Sequence, residues 1–152
     1  MFWTEEKLQR RRDELKRHVA RTAEAVAPVR YCEAASVEAS APMIDDSTWP
    51  VIRAHERFAG RPDMAIWFRA QVAVPERIGG KRLALRFGSS TALGGHNQLA
   101  ESLLYLNGRP YHGIDQNHRV IFLPEGLCQG GNSFTMAIQA WSGRHRQFDG
   151  GH

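Results

Sequence analysis

Strict alternation of apolar and polar side chains through residues 66–74, stopped by Pro75, limits most sharply what this chain can fold into. Ile66, Phe68, Ala70, Val72 and Val74 alternate with Trp67, Arg69, Gln71 and Ala73. A period of two places the two sets on opposite faces of a β-strand, so the apolar set must lie on a core. The same signature recurs. Leu83, Leu85 and Phe87 alternate with Arg82, Ala84 and Arg86, after a connection over residues 75–80. Residues 120–123 form an apolar run ended by Pro124. Phe134, Met136, Ile138 and Ala140 alternate through a last strand closed by Gly143.

Between these lies Asn107-Gly108, flanked by strand-like runs at 102–106 and 109–112. Both residues tolerate the positive φ of a type I′ turn, which makes the pair a strong short-range hairpin signal. Weaker strand patterns surround residues 29–32 and 51–57. Short strands joined by turn chemistry, with no helices between them, predict a mainly β fold, an antiparallel β-sandwich. Its core is expected to contain Phe68, Val72, Leu83, Leu85, Leu104, Leu106, Phe134, Met136 and Ile138. No internal repeat or low-complexity tract is present.

One α-helix is expected ahead of the sandwich. Thr4 can cap it, Glu5 and Glu6 suit the positive end of its dipole, and no Gly or Pro intervenes before Pro28. Leu8, Leu15, Val19, Ala23 and Val26 fall on one stripe of a 3.6-residue period. A coiled coil fails, because Arg11 and His18 occupy the second heptad apolar position. The stripe either packs along the domain or docks another domain or subunit, with Phe2 and Trp3 as an anchor. The expected organisation is therefore a helical segment at 1–27, a sandwich domain at 28–143 and a polar tail at 144–152.

Composition narrows the function classes. A chain of 152 residues with 42% hydrophobic and 24% charged residues can bury one core. No apolar run approaches the ~18 residues that span a bilayer, so no membrane partner is expected. Residues 1–12 are charged almost from the start and unlike a secretory leader, which predicts a cytoplasmic address and free thiols at Cys32 and Cys128. The net charge of +4 is spread evenly. Residues 1–26 carry seven Lys/Arg against five Asp/Glu, and residues 27–152 carry thirteen against eleven. Without a concentrated basic face, nucleic acid is not an expected partner.

No catalytic motif is present: no nucleophile elbow, no phosphate-cradling loop, no His-Glu-x-x-His. Gly94-Gly95 reads as part of a loop over residues 88–98. The densest polar cluster is Gly113-Ile114-Asp115-Gln116-Asn117-His118. Its side chains suit metal ligation or sugar hydroxyls, but Asp115 and Asn117 equally suit Asx-turns that cap their own backbone. A loop that presents Asp115, Asn117 and His118 to a carbohydrate or a neighbouring domain is the expected role, and no metal site is assigned. His96, His112 and His145 would share a metal only if three loops converged. Trp49, Trp67, Trp141, Tyr105 and Tyr111 could stack on pyranose rings, yet such residues more often close a core.

Specific stretches carry a family resemblance. Trp67-Phe68-Arg69-Ala70 followed by Val72-Ala73-Val74-Pro75 resembles the strand that opens the β-sandwich of many glycosidases, which adds Trp67 and Arg69 to the candidate carbohydrate- or domain-facing residues. Leu104-Tyr105-Leu106-Asn107-Gly108 resembles the hairpin of galactose-binding-like jelly rolls. Arg109-Pro110-Tyr111-His112-Gly113-Ile114-Asp115-Gln116-Asn117-His118 is similar to a segment in the N-terminal domain of bacterial α-mannosidases of glycoside hydrolase family 38. The resemblance covers roughly residues 1–145. It implies a retaining α-mannosidase whose zinc or other divalent metal and carboxylate nucleophile belong to a separate catalytic domain. No catalytic residue and no cofactor is therefore expected in these residues. The partners implied are that catalytic domain, with carbohydrate and a second copy of the chain as further candidates. Two alternatives remain: a free-standing carbohydrate-binding module, and a small metal-dependent hydrolase centred on Asp115 and His118.

Overall fold

The computed structural model describes residues 4–19, 23–26, 28–33, 36–52, 64–78, 81–87, 101–115 and 117–141. It is mainly β, with one helix ahead of two antiparallel sheets. The strands are β1 (Val29–Glu33), β2 (Val51–Ile52), β3 (Ala65–Ala73), β4 (Ala84–Arg86), β5 (Ser102–Leu106), β6 (Arg109–Ile114), β7 (Val120–Phe122) and β8 (Ser133–Trp141). Six of them form a sheet in the order β2-β1-β3-β8-β5-β6, and β4 pairs with β7 in a second, small sheet.

The central pair explains the period-two pattern. β3 and β8 run antiparallel over nine residues each, with Phe68 opposite Ile138, Ala70 opposite Met136 and Val72 opposite Phe134. These inward side chains meet Leu104 and Leu106 from β5, Leu85 from β4 and Ile121 from β7 in one core. Seven of the nine expected core residues are in it, and Val72 and Leu83 are partly buried and pack against it. The small sheet thus covers one face of the large one, with Leu85 paired to Ile121.

The hairpin forms where the sequence places it. Asn107 and Gly108 take φ of 49° and 77°, both left-handed. Asn107 is also tied to β8: its N–H donates to the Thr135 carbonyl and its Oδ1 accepts from the Thr135 N–H, both at 2.9 Å. At Gly108, a Cβ would stand 2.8 Å from Pro42 Cδ as well as at positive φ. Gly108→Ala is therefore expected to destabilise the fold by about 1–2 kcal/mol, combining backbone strain with a close contact. Urea unfolding of the variant measures it, and a midpoint equal to the parent's would contradict this turn geometry.

The helix α1 spans Thr4–Val19, shorter than the stripe implied. Residues 23–26 are not helical, and Val26 packs instead against the sandwich core. Burial of Val26 against the strands competes with continuing the helix and wins. Leu8 and Leu15 each remain 64% exposed, so the described residues do not cover the stripe. Phe2 and Trp3, residues 53–57 of the second weak strand pattern, the Gly94-Gly95 loop and the tail from residue 142 lie outside the described residues. Among the described residues no helix is long and apolar enough to cross a membrane. Cys32 and Cys128 are free thiols.

Candidate functional site

The outer face of the large sheet is where sequence expectation and structure part. Trp67 and Arg69 were expected to meet a carbohydrate or a neighbouring domain. They are instead interior, 0% and 2% exposed. Residues 36–50 lie across this face, beginning with a 3₁₀ turn at Val37–Ser40 whose Ala39 and Ser40 are buried. Trp67, Tyr105, Ala137 and Ala39 form a second apolar cluster there, with Cys32, Trp49 and Leu103 packed against it. Small Ala137 sits opposite both Arg69 and Tyr105 in the strand registers. That gap lets the Trp67 and Tyr105 rings approach to 5.2 Å. The Trp67 indole N–H is the one buried side-chain polar atom without a hydrogen-bond partner among the described residues.

Two arginines fasten the cover. Arg69 Nε donates to Asp46 Oδ2 at 3.0 Å, and its Nη1 donates to the carbonyls of Ala39 (2.9 Å) and Ala41 (2.8 Å). Its guanidinium also stands 5.9 Å from the centre of the Trp49 ring. Arg30, directly opposite Arg69 in the β1–β3 register, donates through Nη1 to the carbonyls of Ser47 (3.0 Å) and Trp49 (3.1 Å). Two like charges side by side would repel. Asp46 relieves this, with Oδ1 3.8 Å from Arg30 Nε and Oδ2 on Arg69. A guanidinium presents donors in a planar fork, which suits backbone carbonyls and a carboxylate at once. Beneath the cover, burial pushes the Cys32 thiol up, and the Arg69 charge pulls it partly back. A raised thiol is poorly nucleophilic, so Cys32 reads as packing.

The aromatic platform does not assemble. Trp67 and Tyr105 are buried and Trp49 is half-buried, whereas Tyr111 and Trp141 are exposed. Tyr111 Oη donates to the Phe122 carbonyl at 2.8 Å, linking the edge strand β6 to β7. Arg82 lies over the exposed Phe122 ring at 4.0 Å.

The polar cluster after β6 is a capped turn. Asp115 Oδ1 accepts from the backbone N–H groups of Asn117 (2.6 Å) and His118 (2.8 Å), the Asx-turn that its spacing suggests. Its Oδ2 meets His118 Nδ1 at 2.8 Å. These bonds, that from His118 foremost, hold the Asp115 carboxyl below the usual carboxylate range. Asn117 contributes its main chain and is exposed; Gln116 lies outside the described residues. His118, with 62% of its side chain exposed, lies beside His112, their ring centres 6.1 Å apart. His96 and His145, which could share a metal with His112 only if three loops converged, lie outside the described residues. The neighbour of His112 is His118, because β6 and the Asp115 turn bring them together. Among the described residues no three His, Cys, Asp or Glu side chains converge in a geometry that could hold a metal.

No protein-family profile matches this chain, and no curated protein matches it. Its fold does occur in solved structures. A β-glucuronidase from Faecalibacterium prausnitzii superposes with a TM-score of 0.57 at 14% identity, over 78% of this chain and 20% of that one. A Bacteroides uniformis β-glucuronidase gives 0.56 at 14% identity, over 79% and 14%. A β-glucuronidase of glycoside hydrolase family 2 gives 0.59 at 15% identity, over 81% and 14%. This chain spans a fifth or less of each. Such identities show a shared fold, that of a sandwich portion of larger glycosidases. These neighbours are β-glucuronidases, so the likeness is one of fold, and none of them is a family 38 α-mannosidase.

Proposed function

We propose that this chain is a non-catalytic β-sandwich domain that serves a glycoside hydrolase. The carrying observation is the match of about four-fifths of the chain to a minor part of several β-glucuronidases. The covered centre of the outer face supports the same reading. A sheet held there by its own polypeptide through Arg30 and Arg69 gains rigidity, and leaves edges and loops for contact with a catalytic domain. Retaining glycoside hydrolysis needs two carboxyl groups about 5–5.5 Å apart around the scissile bond. Asp46 is engaged by the guanidinium groups of Arg69 and Arg30, and Asp115 by the backbone N–H groups of its own turn and by His118. In this reading the nucleophile and acid belong to the partner catalytic domain.

The finer specificity rests on two different supports. Residues 109–118 resemble a segment of family 38 α-mannosidases, whereas the structural neighbours are β-glucuronidases. An α-mannosidase partner would carry its divalent metal in its own catalytic domain. The assay therefore uses both substrates. Purified chain, with and without added zinc, is expected to release no nitrophenol from aryl α-mannosides or aryl β-glucuronides above a no-protein blank. Release well above the blank would overturn the non-catalytic assignment. The surrounding coding sequence tests the association. A glycosidase catalytic domain in the same or an adjacent reading frame is expected, and its substrate class decides between mannoside and glucuronide.

A further inference from the structure

We infer that His112 and His118 form a two-histidine site for a borderline divalent cation of the zinc, copper(II) or nickel class, at the exposed edge of the large sheet. The observation is that each imidazole has one nitrogen already committed to an oxygen. His112 Nδ1 lies 2.6 Å from the Gly113 carbonyl, and His118 Nδ1 lies 2.8 Å from Asp115 Oδ2. Neither a carbonyl nor an ionised carboxylate can donate, so in both rings the proton sits on Nδ1. In the neutral tautomer Nε2 then carries the lone pair. A ring nitrogen bonded to carboxylate or carbonyl, with the other left as donor pair, is the arrangement that surrounds metal-bound histidine.

The spacing is close to that of two imidazoles on one ion. With metal–nitrogen bonds of about 2.0–2.1 Å, two imidazoles on one ion stand with ring centres about 5–6 Å apart. Here they are 6.1 Å apart at 49°. Both residues are exposed, so their side chains are free of the core to rotate until the two Nε2 atoms meet one ion. The Asx-turn does not by itself account for this geometry. Capping uses Asp115 Oδ1 alone, Oδ2 is what orients His118, and His112 belongs to β6 rather than to the turn. Imidazole ligands favour zinc, copper and nickel over magnesium or calcium. With two protein ligands, water completes the coordination. This site is independent of the glycosidase reading and of any metal in a catalytic domain.

The full chain, freed of metal by chelator and dialysed, is titrated calorimetrically with zinc alone and with copper(II) alone. One equivalent is expected to bind, and His112→Ala and His118→Ala are each expected to weaken it at least tenfold. Asp115→Asn, which keeps an oxygen to accept the turn bonds and replaces the carboxylate partner of His118, should weaken it about tenfold, on the scale of an orienting carboxylate. Thermal melts of the metal-free variants check that each still folds. Substoichiometric copper(II) should also broaden the imidazole resonances of His112 and His118 before those of the other five histidines. This readout needs no variant. Absence of binding by the parent chain, or binding unchanged in both histidine variants, would overturn the site, as would broadening that starts elsewhere.

Discussion

Replacing Arg69 by methionine is expected to lower stability by about 3 kcal/mol, although methionine keeps much of the side chain's apolar length. The guanidinium is only 2% exposed and makes three hydrogen bonds, to Asp46 and to the carbonyls of Ala39 and Ala41. Replacing both partners of a buried ion pair by apolar groups can be nearly neutral. Here only one partner is removable, because two acceptors are main-chain carbonyls. The Ala39 carbonyl would stay buried and the Ala41 carbonyl partly buried without a donor, against about 1–3 kcal/mol for a fully buried polar group left unpaired. Asp46 is partly exposed and recovers some hydration, which keeps the total near the lower sum. Arg30 would still grip Ser47 and Trp49, so the cover should loosen at its 39–41 end first. Urea unfolding gives the magnitude, and limited proteolysis within residues 36–50 reports the loosening. A variant within about 0.5 kcal/mol of the parent, the range usual for surface changes, would show that the cover is not held by this residue.

The same segment explains why one face of the sandwich was legible in the sequence and the other was not. Alternation in β3 and β8 identifies the inward set from Phe68 to Ile138, and Asn107-Gly108 fixes the β5–β6 hairpin. Alternation also assigns Trp67 and Arg69 to the opposite face, correctly, but does not reveal that this face is covered. Residues 36–50 carry no period of two or 3.6, and their grip on the sheet runs mostly through their own carbonyls, which every residue has. The available hint was chemical: Trp67 and Tyr105 are too large and apolar for an open polar face, and Ala137 is small where they meet. His112 and His118 were obscured for another reason. Six positions apart in sequence, they approach only because β6 ends at Ile114 and Asp115 turns the chain back. The apolar stripe continues in sequence to Val26 and implies a longer helix, while the strands claim that side chain.

Truncating Phe134 to alanine is expected to cost about 3–5 kcal/mol, the range for removing a buried aromatic ring. Phe134 is 2% exposed, lies on the inward face of the central strand β8, and faces Val72 across the ladder. Nearby side chains cannot readily collapse into the space. β8 is held on one side by β3 and on the other by β5, and Thr135 is further tied through its backbone to Asn107. A rigid surround turns lost volume into a persistent cavity, and the cost grows with the cavity. A domain of this size has only about 5–15 kcal/mol of net stability, so the loss takes a large share of it. Phe134→Leu, which restores much of the volume, should recover more than half of the deficit. Measured by urea unfolding, the pair separates cavity formation from a change of strand register. If Phe134→Ala left the cooperative transition unshifted, Phe134 would not face the core. The Val72–Phe134 register, and with it the inward set shared by β3 and β8, would then be wrong.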